Sequence, residues 1–259
     1  MYILCSLAGV NNEAEIISQR VFVQRAIAEI AIEEESVNPK YIFYFIGDGM
    51  GFNHVAFLEE YLRWKNENPE LLVSMTSMPL FTSITTSGIG SLVPDSGAAG
   101  TMLATGQMGA NTKISTSADG SVAYTTILQA LQDANRSTGL ITDVRVIHAT
   151  PASFGANVIH RDLELEIAQQ YLESGIDFIV GGGQGMFIPR EEGGRRPERE
   201  NLLDGFLERG YTVNTDMEDF HCTNFSVVDR YLGVYEASHL TSSITQTIQD
   251  VNLQLWQKC

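Results

Sequence analysis

YIFYFIGDGMG, residues 41–51, is the stretch that decides the fold. Six apolar, aromatic and β-branched residues run without a break, which is the composition of a strand buried on both faces. The run passes directly into Gly47, Asp48, Gly49, Met50 and Gly51, and helical spacing begins near Asn53. Strand, glycine turn and helix in that order form the opening of an α/β unit.

The same alternation continues outward. PLFTSITT (79–86) reads as a second strand, and PDSGAAGTMLATG (94–106) becomes helical after Ser96. TTILQALQDANR (125–136) is a helix, and TGLITDVRV (138–146) is a strand that meets HATPASFG, read as a loop. DLELEIAQQYLES (162–174) is a helix for which Asp162 is the expected cap. DFIVGGG (177–183) is a strand followed by a glycine turn, and ERENLLDGFLERG (198–210) is a helix stopped by glycine. YTVNT (211–215) and RYLGVYEAS (230–238) are the last strands, and FIPREEGGRRPERE (187–200) reads as a surface loop. The expected fold class is α/β, three layers, with a mostly parallel sheet flanked by helices. Its expected division is an amphipathic arm over residues 1–39, carrying EAEIISQRVFVQRAIAEIAIEEE, and an α/β domain over 40–259.

Composition narrows the function. The 259 residues carry 16 Lys and Arg against 32 Asp and Glu, a formal net charge of −16. That balance argues against a nucleic-acid surface, and an anionic substrate needs local arginines or bound cations to invert the field. Cys5, Cys222 and Cys259 are distant and odd in number, the pattern of neither a disulfide framework nor a cysteine zinc site. No apolar run reaches the roughly 18 residues of a membrane span. The start, MYILCSLAGV, lacks the basic region and longer apolar core of an export signal.

In open α/β sheets, sites gather at the carboxyl ends of strands. Three loops with chemistry follow expected strands here. In GDGMG, Asp48 can be a turn residue, or a carboxylate placed for a hard cation. A dinucleotide fingerprint fits poorly, because Phe52 stands where its third glycine belongs. In PDSGAAG, Ser96 can cap a tightly packed helix, or it can be a nucleophile where the helix end favours an alkoxide and a phosphate. In HATPASFGANVIHR, His148 and Thr150 offer a nitrogen and an oxygen donor, and Arg161 has the fork that grips phosphate. Each has a bland reading alone. Together they describe a serine that attacks phosphorus with metal assistance, followed by hydrolysis of the phosphoserine.

YIFYFIGDGMG, PDSGAAGTMLATG and HATPASFGANVIHRD resemble, in order and in context, successive motifs of the alkaline phosphatases, from about residue 40 to about residue 240. The resemblance implies phosphate monoester hydrolysis with two zinc ions and one magnesium, in a homodimer outside the cytoplasm, periplasmic or secreted. Ser96 then corresponds to the phosphorylated nucleophile and Arg161 to the phosphate-binding arginine. Asp48 corresponds to the aspartate shared by zinc and magnesium, and His148 and Thr150 to the magnesium-site positions. The family's further ligands, a glutamate, an Asp-x-x-x-His pair, an Asp-His dipeptide and a last histidine, have no counterpart. His54, His160, His221 and His239 are the other histidines, and none has an aspartate one or four places earlier. The expectation is an incomplete domain of this kind. Its alternatives are a non-catalytic phosphate- or metal-binding remnant and a non-functional truncated product.

Overall fold

The structure, a computed structural model, describes residues 2–6, 39–78, 83–197, 199–243 and 245. The amphipathic stretch 13–35 and the tail VNLQLWQKC lie outside them. The chain divides into two compact units, Met1–Ser87 and Gly88–Cys259.

In the first unit, β1 (Tyr2–Ser6) pairs antiparallel with β2 (Phe43–Gly47). The Met50 N–H closes a turn on the Gly47 carbonyl at 3.2 Å, and Gly49 takes φ +67° inside it, a backbone that glycine adopts without cost. α1 (Phe52–Lys65) follows and carries Arg63 and Lys65 in its last turn, where they complement the helix dipole. The strand expected at YIFYFI forms, but its burial does not. Tyr41, Ile42, Phe43 and Phe45 are each more than half exposed. An apolar β-branched run suffices to make a strand. Burying it takes a layer on each face, and the described residues of this unit hold a single helix. Of the strand expected at 79–86, residues 79–82 lie outside the description and Ser83–Thr86 are irregular.

The second unit is built on a parallel sheet of order β3-β4-β6-β5. Its strands are β3 (Gly139–Arg145), β4 (Phe178–Gly182), β5 (Thr212–Asn214) and β6 (Tyr231–Val234). Phe178 stands in register with Gly139 on one side and Tyr231 on the other. β6, the last of the described strands, is buried along its whole length. Helices α2 (Ser96–Thr105), α3 (Ile127–Asp133), α4 (Ala149–Gly155), α5 (Glu164–Ser174), α6 (Leu202–Glu208) and α7 (Met217–Cys222) accompany the sheet. Tyr171, Tyr231, Phe187, Phe206 and Ile147 are among the fully buried side chains of the core.

Three local expectations need correction. HATPASFG is not a loop: Ala149–Gly155 is helical, with His148 at the N-cap. Pro151 falls in the first turn, where the backbone has no N–H bond to lose, so proline is compatible with the helix. Asp162 does not cap α5, which begins after Leu163 with no side-chain cap. Glu164 and Glu166 in its first turn supply the negative charge instead. The segment 187–200 is also more than a surface loop, since Phe187 and Arg196 are buried and Arg196 Nη1 donates to the Leu165 carbonyl at 3.2 Å.

Candidate active site

The small residues after Ser96 are explained first by packing. Gly97, Ala98, Ala99, Gly100 and Thr101 of α2 are all buried. A Cβ on Gly97 would stand 2.9 Å from the Lys113 carbonyl, and one on Gly100 would stand 2.6 Å from the Ser153 hydroxyl of α4. The helix is therefore pressed against neighbouring chain, and its start is held as firmly as the core. Ser96 is the first residue of this helix and is half-buried.

Asp95, the residue before it, is the N-cap. Its Oδ1 accepts from the Ala98 N–H at 2.9 Å, as a capping carboxylate does. Its Oδ2 accepts from the Thr112 N–H at 3.0 Å and from Arg161 Nη1 at 3.1 Å. The same carboxylate thus fixes the helix start and tethers the arginine beside it. Arg161 is held a second time through its backbone, whose N–H donates to the Thr112 carbonyl at 2.7 Å. Its other terminal nitrogen, Nη2, lies 3.1 Å from His148 Nε2. Guanidinium has only donors, so this ring nitrogen is the acceptor.

His148 is placed by the end of β3. The Val146 N–H donates to the Gly182 carbonyl at 3.0 Å, continuing the sheet, and the Tyr171 hydroxyl donates to the Val146 carbonyl at 2.9 Å from inside the core. Burial pushes the Tyr171 phenol above its ordinary pKa. A further group lies beside it. The His239 ring sits edge-on to His148 with centroids 5.7 Å apart, and its Nε2 is 2.7 Å from Arg145 Nη1. Arg145 in turn is ion-paired with Glu164.

Of the five residues singled out in the sequence, the second unit brings Arg161 and His148 together beside the start of α2, where Ser96 lies. Thr150 is the second residue of α4, half-buried, two places after His148. Asp48 is exposed on the turn after β2, in the first unit. Among the described residues, no three His, Cys, Asp or Glu side chains come together as a metal-binding group. His148 and Thr150 alone do not satisfy the four donors of zinc or the six of magnesium, so the described residues do not by themselves fit a complete metal site. Asp95, Arg145, Glu164 and His239 escaped the sequence reading. Asp95 carried one usable signal, its place directly before a helix. The others are joined only by folding.

The comparisons with known proteins address the family and the fold. Residues 39–251 match the family model described as alkaline phosphatase. Alkaline phosphatase 3 of Bacillus subtilis is 30% identical over 218 residues, covering 80% of this chain and 44% of that protein. The alkaline phosphatase of Schizosaccharomyces pombe is 28% identical over 215 residues, covering 80% of this chain and 40% of that protein. The chain therefore spans less than half the length of these curated relatives. Among solved structures, the alkaline phosphatase of Thermus thermophilus superposes with a TM-score of 0.70 at 29% identity, over 79% of this chain and 42% of that one. A histidine-to-aspartate variant of the alkaline phosphatase from the Antarctic bacterium TAB5, with magnesium bound in its M3 site, superposes with a TM-score of 0.61 at 25% identity, over 73% of this chain and 52% of that one. Motifs, parallel sheet and matches converge, and the chain belongs to the alkaline phosphatase family.

Proposed function

We propose that this chain carries the serine, the arginine and part of the metal-binding set of a phosphate monoester hydrolase. The observation that supports it best is the double use of Asp95, which caps the helix that begins with Ser96 and ties Arg161 to the same place. In this reading the Arg161 fork receives two oxygens of the substrate phosphate. The Ser96 oxygen attacks phosphorus at the positive end of α2, the new bond being Oγ–P and the broken one the ester P–O, with the alcohol leaving. Water then cleaves the phosphoserine and releases phosphate. Asp48, His148 and Thr150 are the candidate donors for zinc and magnesium, metals that lower the pKa of oxygen nucleophiles and neutralise phosphate charge. Further donors complete the set in this reading. A homodimer in the periplasm or the extracellular space belongs to the same reading.

The test is turnover of a chromogenic phosphate ester by the pure chain with added zinc and magnesium, together with mass spectrometry of acid-quenched protein. The expected result is phosphate on Ser96 and loss of both signals in Ser96→Ala. Unchanged hydrolysis in Ser96→Ala would sink the assignment. The scarcity of metal donors among the described residues favours one second reading, a phosphate-binding chain without turnover. Calorimetry separates the two: inorganic phosphate bound by the wild type and lost in Arg161→Ala, with no hydrolysis, selects the second.

A further inference from the structure

At the far end of the same sheet, a cavity of 520 Å³ opens where β3, β4 and β6 begin. Gly139, Phe178 and Tyr231 are the first residues of those strands and line it, whereas His148 lies beyond the opposite end of β3. The volume is that of a small-molecule site. Its aromatic lining is Phe178, Phe220 and Phe225, backed by the fully buried Tyr231. Ring centroids lie 5.3 Å apart for Phe178 and Tyr231, 5.1 Å for Phe225 and Tyr231, and 5.3 Å for Phe220 and Phe225.

Two carboxylates, Asp177 and Asp229, share the lining with Ser137 and Val228. Asp177 Oδ2 accepts from the Thr138 N–H at 2.8 Å, and its Oδ1 stands 3.9 Å from Arg230 Nε. Arg230 is not a wall of the cavity, and its guanidinium lies over the Tyr211 ring at 5.6 Å. Among the described residues, Asp229 makes no hydrogen bond or ion pair. Thr138 also lines the cavity, is 8% exposed, and has a hydroxyl with no hydrogen-bond partner among the described residues.

Rings and carboxylates sharing one wall select for a particular chemistry. A neutral apolar guest would cover the carboxylates without compensating them, and an anion would be repelled. A quaternary ammonium answers both, since its methyl groups suit the ring faces, its charge suits the ring quadrupoles and the carboxylates, and it has no N–H that demands a partner. We infer that this cavity is a binding site for a small organic cation bearing a trimethylammonium group. The site is independent of the phosphatase reading and faces away from His148.

The experiment is a calorimetric or saturation-transfer titration of the full chain with choline, beside 3,3-dimethylbutan-1-ol, its neutral carbon isostere. Choline is expected to saturate, with the isostere weaker by about threefold or more, the discrimination expected of a partly exposed cation–π site. Asp229→Asn, a change at an exposed position, is expected to weaken choline several-fold and leave the isostere unchanged. Phe225→Leu, which keeps an apolar side chain, is expected to weaken choline more than the isostere. Equal binding of the two compounds, or no saturable choline binding at millimolar concentration by chain with a cooperative melt, would overturn the assignment.

Discussion

Asp95 has two oxygens with separate duties, and substitution can divide them. Asp95→Asn keeps an oxygen for the Ala98 N–H but gives up the charge that holds Arg161. Asp95→Ala gives up both. The expected loss of stability for the alanine variant is about 1–2 kcal/mol from the cap, measured as a shift of the urea midpoint. The asparagine variant should keep most of the cap and lose phosphate affinity, because the guanidinium is no longer pinned. If the asparagine variant bound phosphate as well as the wild type, the tether would have no functional part. The cap was half legible: a helix start was expected here with Ser96 as its possible cap, and the structure puts Asp95 in that role. The tether was not legible, because its partner lies 66 residues further on and meets it only in the fold, where the Thr112 backbone bonds to both.

Helix α2 shows what the small residues cost to change. Gly100→Ala places a methyl 2.6 Å from the Ser153 hydroxyl and 2.9 Å from its Cβ. The expected destabilisation is about 1–3 kcal/mol. Pairing it with Ser153→Gly should recover part of that, because the obstruction is a side chain. In Gly109→Ala the obstruction is the backbone of Ala98, so no side-chain deletion relieves it, and the loss should be larger. Chemical denaturation of the three variants checks the order, and equal losses in all of them would mean that α2 is looser than the distances imply. The helix itself was readable from PDSGAAGTMLATG, but α4 was not readable from HATPASFG. Proline and glycine in seven residues look like a loop until the proline is seen to occupy the first turn. β2 failed the other way. Its composition made a strand, while its burial depended on layers that composition cannot count.

Across the molecule, alkaline pH acts through buried phenols. Burial raises the Tyr171 phenol, and burial together with the hydrogen bond to Tyr231 raises that of Tyr235. A raised folded-state pKa stabilises fully below the unfolded value of about 10 and fails as pH climbs past it, because the unfolded chain ionises and the folded one does not. Stability should hold to about pH 9 and then fall as pH rises past the unfolded value of about 10, with Tyr171 contributing to the slope. Urea midpoints followed with phenolate absorbance test this, and Tyr171→Phe should flatten the slope. A flat profile in the wild type would show that the phenol reaches water. The sheet order β3-β4-β6-β5 carries a different consequence. β5 is made before β6 yet, among the described residues, borders only β6, so as the polypeptide leaves the ribosome β5 waits for its partner among these strands until Tyr231–Val234 follow and slot between it and β4. This four-residue strand acts as a keystone: remove it, and two of the described strands leave the sheet rather than one.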